Sequence, residues 1–218
     1  MRIGIIGAGH IGGNLARRLT AAGYDVSIAN SRGPESLVDV ASKTGARPVW
    51  AKDAAREKDL VIVTIPEKDV KELPKDLFAS AKADTVVVDT GNYYPKRDGK
   101  IASIEDGTTE SRWVSEQLGR PVVKAFNTIY AHNIVDRPRP KGDDKRLALP
   151  VAGDDTRAKQ VVMKVIDEIG FDSVDAGGLD DSWRQQPGTP VYGAELDANG
   201  VKRALSEAHH ERPKEFRA

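Results

Sequence analysis

The chain has 218 residues, 39% hydrophobic and 30% charged, a composition typical of a globular protein with enough length for a buried core. It carries 33 basic and 33 acidic residues, and this balance gives no overall field that favours nucleic acid or an anionic membrane. The absence of cysteine excludes disulfides, thiolate chemistry and cysteine-ligated zinc. No apolar run has the length of a membrane span. We therefore expect a cytoplasmic protein without nucleic-acid or membrane partners.

The first unit along the chain combines a strand, a glycine-rich turn and a helix. The apolar strand at residues 3–6 leads directly into GAGHIG at residues 7–12. Apolar residues at helical spacing follow, and Gly23 is placed to end that helix. A glycine motif between a strand and an amphipathic helix is typical of dinucleotide-binding proteins.

Each part of this motif has a separate task in such a protein. Gly7 allows the tight turn out of the strand, and Gly9 lets the backbone come close to a pyrophosphate. Gly12 lets the helix pack closely against the strand. The start of the helix, at His10 and Ile11, offers unpaired N–H groups and the positive end of the helix dipole to phosphates.

The end of the second strand indicates which dinucleotide is bound. A carboxylate at this place would bind the ribose hydroxyls of NAD and repel a 2′-phosphate, but the chain has Asn30, Ser31 and Arg32 there. A guanidinium pairs with phosphate through two hydrogen bonds. Asp25 lies at the opposite end of the same strand. These residues predict NADP(H), whereas without a ligand Arg32 would be a solvated side chain beside a turn at Gly33.

Strands and helices alternate through the rest of the chain, which predicts an α/β fold. We expect a Rossmann-type doubly wound parallel sheet with a small C-terminal α/β extension. Predicted strands lie at 46–50, 60–65, 85–89, 121–126, 147–152 and 171–174. Predicted helices lie at 34–43, 51–57, on both sides of Pro74 within 67–81, at 110–118, from an N-cap at Asp154 to Gly170, and at 201–208, with a long loop at 92–108.

Residues 137–142 are the best candidate for a linker, because two prolines and a glycine interrupt regular structure there. We therefore predict an NADP-binding Rossmann domain at residues 1–142. Residues 143–218 would form the C-terminal α/β extension that completes the acceptor site.

Several blocks of sequence resemble the coenzyme F420-dependent NADP oxidoreductase family, which includes bacterial dinucleotide-binding reductases. The resemblance runs in order from residue 3 to about residue 180, and it weakens beyond Ser182, where that family builds part of its acceptor pocket. Besides the glycine motif and Asn30-Ser31-Arg32, the blocks are VTIP at 63–66, VVKAFNTI at 122–129, AGDD at 152–155 and DAGGL at 175–179.

This resemblance implies an oxidoreductase that transfers hydride between NADP(H) and a deazaflavin such as coenzyme F420, or a flavin-like acceptor. It also implies a homodimer. The residues it assigns to the cofactor are Gly9, His10 and Ile11 for the pyrophosphate, Ser31 and Arg32 for the 2′-phosphate, Thr64, Ile65 and Pro66 beside the cofactor, and Asn127 near the nicotinamide.

The catalytic residues stay open at this point. Hydride transfer to a deazaflavin needs alignment more than an acid or base, and the sequence has no recognisable triad or metal cluster. A small carbonyl or imine acceptor would need a proton donor, for which His132, Tyr130 and Tyr93 or Tyr94 are candidates. Each of them also has a structural explanation, as part of a loop or of a packed turn.

Two features near the C-terminus have alternative interpretations. The segment 183–186, WRQQ, either binds a planar acceptor or anchors the tail or a dimer contact. His209 and His210 lie in a charged segment and are expected to be solvated. A non-catalytic NADPH sensor is the third possible function, after the deazaflavin reductase and the reductase of a small carbonyl or imine.

Overall fold

Strands and helices alternate through all 218 residues of the protein, as described by a computed structural model. The strands are β1 (Arg2–Ile6), β2 (Asp25–Ala29), β3 (Arg47–Pro48), β4 (Leu60–Val63), β5 (Val86–Asp89), β6 (Val123–Lys124), β7 (Ala148–Val151) and β8 (Asp172–Asp175). The α-helices are α1 (His10–Ala21), α2 (Val38–Thr44), α3 (Ala51–Ala55), α4 (Glu67–Val70), α5 (Pro95–Asp98), α6 (Ala102–Glu105), α7 (Glu110–Leu118), α8 (Asn133–Asp136), α9 (Thr156–Glu168) and α10 (Ala198–Ser206). Short 3-10 helices cover Pro34–Leu37, Leu179–Gln185 and Lys214–Phe216. None of the helices has both the length and the apolar character needed to cross a membrane.

Six strands form one parallel sheet in the order β3-β2-β1-β4-β5-β6. The residues of β4 and β5 are all buried, because helices cover both faces of the sheet. β2 and β3 lie on one side of β1, and β4, β5 and β6 lie on the other side. The strand order therefore reverses direction between β1 and β4. Ligands of such sheets bind at the carboxyl ends of the strands beside this reversal. The predicted doubly wound α/β fold is confirmed.

The C-terminal extension contains a second, two-stranded parallel sheet of β7 and β8. It joins the large sheet through an antiparallel bridge, in which the Lys124 N–H donates to the Ala152 carbonyl at 2.8 Å and the Ala152 N–H donates to the Lys124 carbonyl at 3.0 Å. One hydrophobic cluster of 25 buried residues includes Val123 of β6 and Leu149 of β7. The two parts of the chain therefore share a core, and the domain boundary at residue 142 stays a prediction.

In two segments the structure forms a different kind of element from the one predicted. The predicted loop at 92–108 contains two helical turns, α5 and α6, because Pro95 starts α5 with its backbone φ already set for a helix. In residues 67–81 only α4 is helical, and the chain beyond Pro74 forms turns. The segment forms only one helical turn, because helix nucleation is costly and because Pro74 lacks the N–H that a longer helix would need there.

The N-cap of α9 also differs from the prediction by one residue. The Asp155 carboxylate, not that of Asp154, accepts from the Ala158 N–H at 3.1 Å. Asp154 instead accepts from the Leu179 N–H at 2.8 Å and pairs with Arg112 at 2.9 Å. It therefore connects the extension to α7, a long-range contact that local capping rules cannot predict.

Candidate functional site

The glycine loop between β1 and α1 needs glycine at two positions for the fold itself. Gly7 has a φ of +115°, and a Cβ there would overlap the Thr64 carbonyl oxygen. A Cβ at Gly12 would overlap the Gly7 carbonyl oxygen. Thr64 directly follows β4, so these contacts hold the loop, the start of α1 and the end of β4 together.

Gly9 is different, because no contact within the chain requires a glycine at this position. Its φ of −76° and ψ of −163° suit any residue, and a Cβ there would have nothing within 4 Å. It precedes α1, which has no side-chain cap. The first N–H groups of α1, at His10, Ile11 and Gly12, have no intrahelical partner. The exposed loop therefore presents free backbone N–H donors, and the lack of a side chain at Gly9 leaves space beside them. A phosphate group fits this arrangement.

The turn after β2 holds Ser31 and Arg32 at the surface. Asn30 accepts from the Arg32 N–H at 3.0 Å and donates to the Ser36 hydroxyl at 2.8 Å. Ser36 in turn donates to the Gly33 carbonyl at 2.7 Å. The side chains of Ser31 and Arg32 are exposed, and the Arg32 guanidinium forms no ion pair. Asn30 thus shapes the turn, while Arg32 stays available for an anion.

The segment Thr64–Pro66 lies next to the glycine loop. The Thr64 N–H donates to the Ile6 carbonyl at 2.8 Å, which continues the pairing of β4 with β1. Ile65 and Pro66 are half-buried, and Pro66 precedes α4. The structure thus brings the residues predicted for the pyrophosphate and those predicted to lie beside the cofactor to one edge of the sheet.

Asn127 is the centre of a buried amide network. Its Nδ2 donates to Asn92 Oδ1 at 3.1 Å and to the Gln185 carbonyl at 2.6 Å, and its Oδ1 accepts from Gln185 Nε2 at 2.9 Å. Asn127 is 4% exposed, and both of its amide hydrogens are used. It therefore positions Asn92 and Gln185. Sequence reasoning noted Gln185 only as part of the segment WRQQ and missed its contact with Asn127, which spans 58 residues. The preceding residue, Phe126, has a φ of +64°, a strained conformation for a residue other than glycine.

The candidate proton donors have very different environments. Tyr93 is fully buried, and its hydroxyl donates to the Gly99 carbonyl at 3.0 Å and accepts from the Ile101 N–H at 3.2 Å. Burial raises the pKa of Tyr93. Its hydroxyl is thus part of a packed turn. Tyr130 is 53% exposed and stacks on His132, with ring centroids 5.8 Å apart, so this pair remains accessible.

Tyr94 joins the loop after β5 to the C-terminal extension. Its hydroxyl bonds to that of Tyr192, and burial raises the pKa of Tyr192. Beside this pair, the Gly193 N–H donates to the Thr128 carbonyl at 3.0 Å. Loops from β5, β6 and the extension therefore meet at the carboxyl edge of the sheet.

A buried group of charged residues lies at the ends of β4, β5 and β6, and sequence reasoning missed it. Lys124 Nζ lies 3.1 Å from an Asp89 oxygen, 2.6 Å from the Gly91 carbonyl and 3.9 Å from a Glu110 oxygen. Glu67 is fully buried beside them, and neither of its carboxyl oxygens has a hydrogen-bond partner. Burial, reinforced by the charge of Asp89, raises the pKa of Glu67 well above its usual range. The lysine inside the apolar strand VVKAF was the signal for this group.

We expect Glu67→Gln to stabilise the protein increasingly as pH rises. The folded state keeps the proton on Glu67 above the pH at which the unfolded chain loses it, so wild-type stability falls as pH rises from about 4.5. Glutamine cannot titrate, and the variant escapes this loss. In thermal melts, the melting temperature of the variant minus that of the wild type should grow by a few degrees between pH 4 and pH 8. Each kcal/mol of stability shifts the melting temperature by roughly 2–4 °C. Glu72→Gln, at an exposed position nearby, is the control, and a flat difference for Glu67→Gln would contradict the expectation.

The C-terminal tail packs on the segment WRQQ and lines one side of an open cavity of about 570 Å³. Trp183 lies against His210 with ring centroids 4.8 Å apart, and Arg212 donates to Gln186 at 3.2 Å. Arg212 also reaches the buried Glu110, at 3.1 Å. Of the two interpretations of WRQQ, these contacts favour the anchoring of the tail. His209 and His210 are exposed, as expected.

Comparison with known proteins places this site in a family context. Residues 2–93 match the family model described as NADP oxidoreductase, coenzyme F420-dependent. The solved structure of hypothetical protein SMa0349 from Sinorhizobium meliloti is 35% identical, with a TM-score of 0.77 over 90% of this chain and 95% of that one. A candidate F420-dependent NADP reductase from Arthrobacter sp. FB24 is 22% identical, with a TM-score of 0.66 over 82% and 85% of the two chains, and this likeness shows the fold alone.

A curated relative matches a shorter part of the chain. The YjhV protein of Escherichia coli K12 is 46% identical over 73 residues, which are 33% of this chain. The matched part spans 53% of that relative.

Proposed function

The chain belongs to the family of coenzyme F420-dependent NADP oxidoreductases over its N-terminal region, and from this premise we propose that it is an NADPH-dependent reductase of a deazaflavin or flavin-like acceptor. The observation that carries the proposal is the pairing of two free anion-binding elements at neighbouring strand ends. One is the open Gly9 above the start of α1, and the other is Arg32, exposed and without an ion pair. Together they suit a ligand with a pyrophosphate and a separate phosphate.

The residues of the chain would hold NADPH in an extended form across the sheet. The N–H groups of His10 and Ile11 would bind the pyrophosphate, and Ser31 and Arg32 the 2′-phosphate. Thr64–Pro66 would lie beside the middle of the cofactor. Bound NADPH supplies a hydride from C4 of its nicotinamide ring.

The acceptor end of the site would be built by the meeting loops. Asn127 holds Asn92 and Gln185 in place, and Tyr94 and Tyr192 close the same region. Such an environment aligns two flat rings and excludes water, which is what hydride transfer between cofactors requires of a protein. The resemblance to a family named for coenzyme F420 supports a deazaflavin as the acceptor.

One observation favours a second candidate, the reduction of a small carbonyl or imine. That reaction needs a proton donor near the accepted hydride, and the stacked pair of Tyr130 and His132 is exposed beside the loop that carries Asn127. A deazaflavin or flavin-like acceptor has less need of such a donor from the protein.

The experiment that separates these functions is a screen of acceptors with NADPH, in which the decrease in NADPH absorbance measures turnover. We expect oxidation with coenzyme F420 or a flavin, and little with small aldehydes, ketones or imines. Oxidation by the small acceptors alone would establish the second candidate. Tight binding of NADPH without any turnover would instead indicate a sensor. The homodimer implied by the resemblance stays a prediction, which sedimentation velocity can check.

A further inference from the structure

Trp50 is an exposed aromatic residue that the core does not use. Its side chain is 54% exposed, whereas Trp113 is 7% exposed and Trp183 packs against the tail. Exposing a large aromatic ring forgoes the free energy that its burial would supply. The packing of the fold thus leaves about half of this side chain available to a ligand.

The backbone places Trp50 beside the turn that carries Arg32. Trp50 follows β3, the neighbour of β2, and the Val49 N–H donates to the Ile28 carbonyl at 2.9 Å. The indole lies against Gly33, since a Cβ at that glycine would be 2.6 Å from Cη2 and 2.9 Å from Cζ3 of the ring. The ring thus contacts the residue that directly follows Arg32.

The backbone of Trp50 is anchored to the helix that follows it. Its carbonyl accepts from the N–H groups of Asp53 and Ala54 at 3.0 and 2.9 Å, because Trp50 is the N-cap of α3. Ala54 and Ala55 of that helix are fully buried in the core. With its backbone anchored, the indole has only two side-chain dihedral angles left to order when a ligand packs on it.

The charge beside the ring favours a neutral base over a phosphate as its ligand. The Glu35 carboxylate lies on the same side of Gly33 as the indole, with Oε2 3.1 Å from the position of a Cβ there. A carboxylate beside an apolar ring disfavours an anion and tolerates a neutral aromatic group. The anion would go to Arg32 on the adjacent turn.

We propose that Trp50 is the platform on which the adenine of NADP(H) stacks, next to the 2′-phosphate held by Arg32. This inference rests on the proposed NADPH site and adds a specificity residue to it. Purines stack on indole because both are flat and aromatic, and such contacts contribute substantially to binding. The platform recognises the adenosine half of the cofactor and leaves the reacting ring untouched.

Titration calorimetry with adenosine 2′,5′-bisphosphate, which has the base and the 2′-phosphate but no nicotinamide, tests the proposal. We expect Trp50→Ala to raise the dissociation constants of this probe and of NADPH by about tenfold, the scale of one base–aromatic stack. Trp50→Phe, which keeps a ring, should stay within about threefold of the wild type. Val38→Ala, another exposed apolar position, is the matched control and should bind like the wild type.

Tryptophan fluorescence gives a second readout that a purely structural role would not produce. The probe should quench the emission of the wild type and leave that of Trp50→Phe unchanged. Wild-type affinity in Trp50→Ala, or equal quenching in Trp50→Phe, would overturn the platform while NADPH binding by the wild type kept the proposed function in place. If the wild type bound neither NADPH nor the probe, both proposals would be wrong.

Discussion

Gly9→Val is expected to abolish binding of NADPH and NADH without unfolding the protein. The backbone at Gly9 suits valine, and a Cβ there meets no other atom of the chain. Valine is a weaker N-cap than glycine, which costs at most about 1 kcal/mol of stability. The side chain would instead occupy the space of the pyrophosphate and remove two charge-assisted hydrogen bonds, each contributing about 1.5–3 kcal/mol. Both dissociation constants should therefore rise roughly 100-fold or more.

Two other glycines of the same loop provide the controls for this experiment. Gly13 also has open space around a Cβ, but its N–H already donates to the Gly9 carbonyl at 2.8 Å. Gly13→Ala should therefore keep its affinity for both nucleotides. Gly12→Ala should lower the melting temperature, because its Cβ overlaps the Gly7 carbonyl oxygen. Calorimetry and thermal melts on all three variants check the expectation, and retained affinity in Gly9→Val would show that the pyrophosphate binds elsewhere.

Arg32→Ala is expected to weaken NADPH far more than NADH. Only NADPH carries the 2′-phosphate, and one charge-assisted contact of about 1.5–3 kcal/mol corresponds to roughly a 10- to 100-fold change in affinity. The loss for NADH should stay below about threefold, since its ribose hydroxyls do not need a cation. Fluorescence titrations of both nucleotides measure the two constants.

Arg17→Ala is the matched control for the removal of a positive charge. Arg17 is exposed on α1, and it makes no ion pair. It should leave both affinities unchanged, and the effect of Arg32→Ala should shrink at high salt because the contact is exposed. Equal losses for NADPH and NADH in Arg32→Ala would remove Arg32 from the 2′-phosphate site.

The strands, the main helices and the glycine loop could be predicted from the sequence, since their signals are local. Apolar runs define β4 and β5, and the helix predicted at 110–118 coincides with α7. The short elements were less predictable. The single turns α5 and α6 depend on Pro95 and on packing, and β6 covers only two residues of the predicted strand at 121–126.

The candidate binding residues show the same division. The glycine spacing and the lack of a carboxylate at 30–32 were readable, because each lies within one short segment. Only the positions of the neighbouring residues show that Asn30 bonds within the turn and that Arg32 stays free. Asn127 is expected near the nicotinamide, which stays a prediction, and its contacts with Asn92 and Gln185 span 35 and 58 residues, beyond the reach of local patterns.

The order of residues along the chain was therefore enough to predict the fold class and to propose the residues of a phosphate-binding site. Hydrophobic period, strand ends and turn glycines act over a few residues, so they can be read without coordinates. Tertiary packing alone determined which side chains share a buried environment. Glu67, Asp89, Glu110 and Lys124 come from four separate elements. Burial raises the pKa of Glu67 and of Glu110, whereas for Lys124 the effect of burial is outweighed by the neighbouring carboxylates, which raise its pKa. Trp50 acquired its role in the same way, through a contact with Gly33 that only the pairing of β2 with β3 creates.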